Sequence, residues 1–343
     1  MSDINQRNKQ IAAAWFADID AARPDQMAGV LSAYLSEDVV WQGFAPIGTL
    51  RGQSAICAHF LQPFFGAFAD LERDTHILMG GVSDGCEAPG CDGAYWVGAT
   101  GYLSGRQAGP FLGIAAKGAA VRLRWGTFLE FDANRRIRRI QELIDVIDWL
   151  EQLGCSPLPR PRGVPAVWPA PTGFDGVLRA PEEAAVSAEV MAFARAFIFG
   201  GLNGFDEADL ASMGMAQYFH PNLKWYGPGG IGACLSFAEF ETLHQAPWLK
   251  AFPDRKVGDL DNLITEGRLV GASSLPGVWL THTGPYLDHA PSGARAGVNG
   301  IDFWLYDAGR FTENWVFVDM IHLFDQFGID LLAQARAQAS SRR

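Results

Sequence analysis

The sequence predicts an α+β protein made of two similar cone-shaped domains, each with N-terminal helices packed on a curved, mainly antiparallel sheet. Three observations predict this fold. The chain has 343 residues, which is more than one hydrophobic core usually serves. A proline-rich segment lies near its middle, and a sequence repeat runs across that segment. Hydrophobic residues make up 48% and charged residues 19% of the chain, as is typical of ordered globular domains.

The repeat consists of short matching segments at a nearly constant spacing. Gly109-Pro110-Phe111-Leu112 recurs as Gly284-Pro285-Tyr286-Leu287, and Asp145 recurs at almost the same spacing as Asp319. Upstream, Trp41-Gln42-Gly43 recurs at a wider spacing as Trp225-Tyr226-Gly227, which predicts an insertion around residues 84–92 of the first copy. A fixed spacing of this kind indicates a duplicated domain.

The segment between the copies carries six prolines: Pro157, Pro159, Pro161, Pro165, Pro169 and Pro171. Proline fixes the backbone in an extended conformation, so we expect a semi-rigid connector. The predicted division is a first domain at 1–155, a linker at 156–175 and a second domain at 176–343. We expect the two copies to pack sheet against sheet as an intramolecular pseudo-dimer.

The elements of the second copy follow from periodicity and from turn residues. Helices are predicted at 182–199 and 206–219, a short strand at 223–226, a third helix opened by the capping box at 236–239, strands at 256–271, 277–284, 295–306 and 310–320, and a last helix at 321–336. Helices followed by a run of antiparallel strands indicate an α+β domain, with a cavity between the helices and the curved sheet.

Charge and cysteine content narrow the classes of partner. The net charge of −11 disfavours nucleic acid, and the basic cluster Arg135, Arg136, Arg138 and Arg139 contains no aromatic residue for base stacking. No apolar run long enough to span a membrane and no secretory signal are apparent, so a membrane partner is not expected. Five scattered cysteines argue against a disulfide framework and favour the cytoplasm.

The strand at 310–320 carries the first candidate catalytic residue. Strict alternation places Phe311, Glu313, Trp315, Phe317 and Asp319 on one face. A carboxylate among aromatic rings must be paired or have a raised pKa, and a raised pKa suits proton exchange near neutral pH. Asp319 is therefore the main candidate, and the alternative is that it caps the helix that follows it.

Two further candidates lie on neighbouring predicted strands, His282 and Asp302. A histidine and an aspartate converging on one pocket could divide the roles of acid and base. A structural role remains open for His282 and is favoured for Asp302 and Glu313. The expected pocket residues are Trp225, Tyr226, Asn299, Trp304, Glu313 and Trp315.

The first copy preserves little of this set. Trp41 and Asp145 are its equivalents of Trp225 and Asp319, but Gln107 stands in the position of His282. Proton transfer in the first copy is therefore not expected.

Two other kinds of site are rejected. Residues 227–232 (GPGGIG) have the glycine spacing of a dinucleotide-binding loop, but hairpins rather than parallel crossovers follow them. Cys86 and Cys91 lack a second ligand pair for a metal. We expect neither a metal nor a cofactor.

Residues 281–287 (THTGPYL), 313–319 (ENWVFVD) and 326–328 (QFG) resemble the SnoaL-like polyketide cyclase family, whose fold is that of nuclear transport factor 2-like proteins. The resemblance implies that Asp319 acts as general acid/base in an intramolecular aldol ring closure without metal or nucleotide. The predicted function is cofactor-independent acid/base chemistry on a small apolar carbonyl compound. The alternative is a non-catalytic protein of the same fold that binds a small hydrophobic ligand.

Overall fold

A computed structural model describes residues 2–90, 92–206, 209 and 211–341. It contains two mixed sheets of six strands, each covered by helices. The predicted α+β class is confirmed, and each half of the chain contributes one sheet.

The first half contains five α-helices and six strands among the described residues. The helices are α1 (Ser2–Ala21), α2 (Met27–Tyr34), α3 (Gln53–Ile56), α4 (Gln62–Ala67) and α5 (Val146–Gln152), with a π-helical turn, Cys57–Leu61, between α3 and α4. The strands are β1 (Leu35–Gly43), β2 (Thr49–Arg51), β3 (Phe68–Val82), β4 (Tyr95–Gln107), β5 (Ala120–Phe131) and β6 (Ile137–Ile144). They lie in the order β2-β1-β6-β5-β4-β3, and only the β1 and β6 pair is parallel.

The second half repeats this topology. Its helices are α6 (Ala184–Arg195), α7 (Met215–Tyr218), α8 (Phe237–Glu239), α9 (Ala246–Ala251), α10 (Met320–Gln326) and α11 (Leu331–Ser341), with π-helical turns at Ala196–Gly201 and Phe240–Gln245 and a 3-10 turn at Leu202–Gly204. Its strands are β7 (Phe219–Tyr226), β8 (Lys256–Val257), β9 (Asn262–Glu266), β10 (Leu269–Thr281), β11 (Arg295–Asp307) and β12 (Arg310–Val318). The order is β7-β12-β11-β10-β8, with β9 also paired to β10, and β7 runs parallel to β12 as β1 does to β6.

Several predicted boundaries are wrong for identifiable reasons. The predicted strand 256–271 is divided because Gly267 forms a turn at a φ of 55° between β9 and β10. The predicted helix 321–336 is broken at Gly328, whose φ is 80°. Of the predicted helix 206–219 only α7 is helical among the described residues, and positions 207, 208 and 210 lie outside them. The predicted capping box is present, because the Ser236 side chain accepts a hydrogen bond from the Glu239 nitrogen.

The two sheets contact each other through aromatic side chains and a buried ion pair. The rings of Phe128 and Phe303 stack with centroids 5.2 Å apart and planes 13° apart. At the edge, Glu266 forms a 2.6 Å ion pair with the buried Lys9 and accepts a 2.8 Å hydrogen bond from the Gly80 nitrogen. Aromatic stacking and a satisfied buried ion pair tie each half to the other.

The proline-rich segment between the sheets is packed rather than free. Trp168 is buried against Phe317, with ring centroids 4.6 Å apart. The indole nitrogen of Trp315 donates a 2.8 Å hydrogen bond to the Pro169 carbonyl. The segment therefore covers part of the second sheet in addition to connecting the halves.

Two sequence expectations need correction. The segment Ala184–Gly204 is long and apolar enough, by length and composition, to qualify as a membrane span, although one such helix is weak evidence and its Val190, Ala194 and Phe197 are buried inside the protein. Cys86 is disulfide-bonded, contrary to the expectation for the cysteines, and Cys91 lies outside the described residues.

Arginines of the basic cluster form hydrogen bonds and ion pairs within the protein. Arg136 donates hydrogen bonds to the carbonyls of Ala33 and Leu35. Arg138 and Arg139 both pair with the buried Glu130. These contacts account for three of the four arginines of the cluster.

Candidate functional site

The second half encloses an apolar cavity of about 210 Å³ between its helices and its sheet. The helices contribute Phe197, Phe240, His244 and Trp248, and the strands contribute Trp225, Asp302, Trp304, Asn314 and Val316. Apolar walls with a few polar groups are typical of a small-molecule site.

Asp302 is the carboxylic acid of this cavity. It lies in the middle of β11, opposite Ala272 of β10 and Val316 of β12. It is partly buried and lines the cavity. Burial raises its pKa from 3.8 to about 7, and the neighbouring Asn314 carboxamide opposes that rise. A carboxyl group with this pKa exchanges protons readily at neutral pH.

A shift in strand register explains why Asp302 and not Asp319 faces the cavity. Tyr306 pairs with Phe311, whereas Leu305 pairs with Glu313, so Thr312 is an extra residue in β12. A bulge of this kind reverses the alternation of side chains beyond it. Asn314, Val316 and Val318 therefore face the cavity.

Glu313, Tyr226 and Trp315 lie on the opposite face, outside the cavity lining. Glu313 accepts hydrogen bonds from the Thr172 nitrogen at 2.7 Å and from the Tyr226 hydroxyl at 3.0 Å. Trp315 stacks on Tyr226 with ring centroids 5.3 Å apart. Asn299 is also outside the lining, and its carbonyl accepts a hydrogen bond from the Asp319 nitrogen. Of the six expected pocket residues, the cavity contains Trp225 and Trp304.

Asp319 is the N-cap of α10. One carboxylate oxygen accepts a 3.0 Å hydrogen bond from the His322 nitrogen, and the other accepts a 2.8 Å bond from the Ala45 nitrogen of the first half. Both oxygens are thus engaged outside the cavity lining, which matches the capping alternative.

Asp145, the first-half equivalent, makes the reciprocal contact. It caps α5 through the Asp148 nitrogen at 3.0 Å and accepts a 2.8 Å hydrogen bond from the Gly229 nitrogen of the second half. Ala45 and Gly229 are themselves equivalent positions of the repeat. The repeated aspartate therefore connects the two halves in a two-fold manner.

His282 is a core residue. Its ring stacks on Phe327 with centroids 4.3 Å apart, and its Nδ1 atom accepts a 3.3 Å hydrogen bond from the Ser292 nitrogen. The ring is fully buried, and burial lowers its pKa. His282 is absent from the cavity lining and does not meet Asp302 there.

His244, which sequence reasoning missed, is the histidine of the cavity. It stacks on Trp225 with ring centroids 4.1 Å apart and planes 20° apart. Burial and, secondarily, Arg255 lower its pKa to about 3, so the imidazole is neutral. The series Phe240, His244 and Trp248 has the four-residue spacing of one helix face, which was the available signal.

A second chamber of about 280 Å³ adjoins the cavity. His244 and Ile231 line both spaces, and Arg162 and Asp288 are among the residues at the outer chamber. His244 and Ile231 therefore form a wall that the two spaces have in common.

The equivalent space in the first half is nearly filled. Its cavity measures about 30 Å³, which is room for one water molecule. Trp41 is buried and stacks on Phe60 with centroids 4.5 Å apart. Gln107 is buried and donates weakly to the Gly109 carbonyl at 3.3 Å.

The first half also carries a cavity carboxyl group that the sequence comparison missed. Glu142 lies opposite Thr127, the position equivalent to Asp302, and accepts a 3.2 Å hydrogen bond from the Trp41 indole. Burial raises its pKa. Its partner and the lack of space leave it little freedom to act on a ligand.

A larger and more polar groove of about 720 Å³ lies beside α1. Two of the charged side chains that line it, Lys9 and Arg73, are paired with Glu266 and Asp20. These groups are already neutralised, so the groove offers weaker chemistry than the Asp302 cavity.

Residues 206–327 match the family model of SnoaL-like polyketide cyclase. None of the curated proteins matches the chain. Among solved structures, a protein assigned as a SnoaL-like polyketide cyclase from Jannaschia sp. CCS1 is 16% identical, covering 43% of this chain and 97% of its own, with a TM-score of 0.37.

Two further solved structures are similar. A protein assigned as a polyketide cyclase from Xanthomonas campestris pv. campestris is 22% identical over 43% of this chain and 98% of its own, with a TM-score of 0.34. A protein assigned as a hydroxylase from Streptomyces galilaeus is 20% identical over 46% of this chain and 94% of its own, also with a TM-score of 0.34. The family match covers β7 to α10, which include the strands that line the cavity, and supports a cyclase-type function in general terms. The chain is thus similar to SnoaL-like polyketide cyclases over residues 206–327, within its second half.

Proposed function

We propose that the second half is an enzyme that performs cofactor-independent acid/base chemistry on a small apolar carbonyl compound, with Asp302 as the proton-transfer group. The observation that carries this proposal is a carboxyl group with a pKa near 7 on the wall of an apolar cavity. A general acid/base works best when its pKa lies close to the working pH.

The chemistry requires no metal or nucleotide. The Asp302 carboxylate removes a proton from a carbon next to a carbonyl group, which leaves an enolate and a protonated Asp302. The enolate carbon then attacks a second carbonyl carbon, and the new alkoxide takes the proton back from Asp302. Neutral His244 donates a hydrogen bond to the enolate oxygen, which stabilises the charge that develops there.

The domain organisation belongs to this proposal. We propose a first domain at 1–155, a linker at 156–175 and a second domain at 176–343, packed as an intramolecular pseudo-dimer. The stacked pair of Phe128 and Phe303 and the reciprocal contacts of Asp145 and Asp319 support it. A cytoplasmic location stays a prediction.

The test uses 2-tetralone, a small apolar ketone with acidic C–H bonds. The full-length protein in heavy water should exchange these protons for deuterium, and NMR follows the loss of their signals. Replacing Asp302 with Asn should lower the exchange rate by about 100-fold or more, because the amide cannot accept the proton. Tryptophan fluorescence, through Trp225 and Trp304, should show that the ketone still binds.

Asp307→Asn is the matched control, since Asp307 is an exposed aspartate on the same strand. It should exchange protons at the wild-type rate. Binding of the ketone with no protein-dependent exchange would favour the alternative function, a carrier of small hydrophobic ligands. Full exchange in the Asp302→Asn variant would remove Asp302 from the mechanism.

A further inference from the structure

The glycine-rich segment at 227–232 forms one wall of the cavity. Pro228 and Ile231 line the inner space, and Gly230 and Ile231 line the outer chamber. We call residues 227–232 the wall loop. A bound nucleotide was rejected on the sequence, so the glycines of this loop need a structural explanation.

The wall loop is held by three side chains of the first half. The Arg124 guanidinium donates a 3.2 Å hydrogen bond to the Gly227 carbonyl. Asp145 accepts a 2.8 Å bond from the Gly229 nitrogen, and Glu151 accepts a 3.2 Å bond from the Gly230 nitrogen. Three attachments within one short segment leave the loop backbone little freedom.

Two of these side chains belong to a buried charge cluster. Arg124 lies within 3.2 Å of Asp145 and within 2.9 Å of Asp148, and all three residues are buried. Charges that are paired in this way keep their geometry, because separating them would leave a buried charge unpaired.

The glycines permit the close approach. A methyl group at Gly229 would lie 2.4 Å from the Asp148 nitrogen, and one at Gly230 would lie 2.6 Å from the Leu158 side chain. Gly230 and Gly232 both have a φ of 81°, a conformation that favours glycine. The loop is shaped to dock on α5 and on the linker.

The equivalent loop of the first half lacks this support. Asp319 makes the matching bond to the Ala45 nitrogen, but Asn299 replaces Arg124 and the exposed Asp325 replaces Glu151. Strong support thus occurs only where the loop borders an open cavity.

From this asymmetry we infer that the first half is a positioning domain for the ligand site of the second: Glu151, with Asp145 and Arg124, holds the wall loop in the conformation that binds the ligand. The inference rests on the proposed location of that ligand. A loop that is already ordered does not have to be ordered when the ligand binds, which strengthens binding.

The test compares Glu151→Ala with Asp325→Ala in the full-length protein. We expect the dissociation constant for 2-tetralone to rise about tenfold in the first variant, because the wall loop loses its bond to the Glu151 carboxyl group, and to stay unchanged in the second. Glu151→Gln should restore wild-type binding, because its carbonyl oxygen can also accept from Gly230. Once the ketone is saturating, the exchange rate in Glu151→Ala should match the wild type, so that KM changes and kcat does not.

A second variant and a ligand-free measurement complete the test. Gly229→Ala should also weaken binding, whereas Gly200→Ala, whose added methyl group meets no neighbour, should not. Hydrogen exchange of the loop amides should accelerate in Glu151→Ala. Wild-type affinity and unchanged amide exchange in both loop variants would overturn the inference, as would a wild-type protein that does not bind the ketone.

The two proposals fail in different ways. Binding that depends on Glu151, with no proton exchange in any variant, would end the proposed catalysis and keep the positioning role. Exchange that depends on Asp302, with an unchanged KM in the Glu151→Ala variant, would end the positioning role and keep the proposed catalysis.

Discussion

Asp302 should make the protein less stable at neutral pH than it would be with a neutral residue there. Its carboxyl group lies in an apolar cavity, and Asn314 is the one side chain that favours its ionised form. Replacing Asp302 with Asn keeps the size of the side chain and removes the ionisation. The variant should therefore be more stable than the wild type at any pH at which the wild-type carboxyl group is ionised.

The sign and size follow from the pKa. In the folded protein the pKa of Asp302 is raised from 3.8 to about 7, so the folded state binds the proton more tightly than the unfolded state does. The stability linked to this proton is fully present below a pH of about 4 and is lost as the pH rises through about 7. At about 1.4 kcal/mol for each pKa unit, the total loss is about 4 kcal/mol.

Urea unfolding of both proteins between a pH of about 5 and a pH of about 8.5 checks this. About 3 kcal/mol of the change falls in that window, so the advantage of Asp302→Asn should grow by that amount as the pH rises. Asp307→Asn, on the exposed end of the same strand, should show no such trend. A difference that does not vary with pH, or an NMR titration with a midpoint near 4, would refute the raised pKa and the acid/base role built on it.

Two further outcomes are expected. The exchange rate with 2-tetralone, expressed as kcat/KM, should rise about tenfold per pH unit below about 7 and level off above it, because Asp302 must be ionised to accept the proton; a flat profile measured by NMR would contradict this. Phe128→Ala should lower the free energy of unfolding by about 3 to 5 kcal/mol in urea titrations, because it removes one ring of the stacked pair with Phe303 between the sheets; a change below about 1 kcal/mol would contradict that packing.

The overall architecture could be predicted because a repeat records topology directly. The matched segments of the two copies occupy equivalent strands, and the parallel pairs β1 with β6 and β7 with β12 correspond. The small change in spacing between the Gly-Pro segment and the repeated aspartate lies at the hairpin before β6 and β12 in the structure. A sequence repeat does not depend on local helix or strand propensity. The predicted topology was therefore right, although several predicted ends of helices and strands were wrong.

The face of β12 could not be predicted by alternation. The bulge at Thr312 separates Phe311 from the face of Trp315 and Phe317, and Val316 and Val318 make the cavity face equally apolar. A strand that is covered on both sides carries no binary pattern, and a bulge then changes the parity without a sequence signal. We therefore propose Asp302 rather than Asp319 as the proton-transfer group, although the sequence favoured a structural role for Asp302.

The differences between the halves are consistent with division of labour after duplication. In the first half Thr127 faces Glu142, and the indole of Trp41 satisfies that acid in a space of about 30 Å³. In the second half the acid lies on the other strand of the equivalent pair. Asp302 of β11 faces Val316 of β12, beside a space of about 210 Å³. An unpaired acid and open volume both lower stability, and they occur together in one half. The well-packed first half can supply stability and, through the wall loop, order to the half that carries the cavity and its acid, as expected when function conflicts with stability.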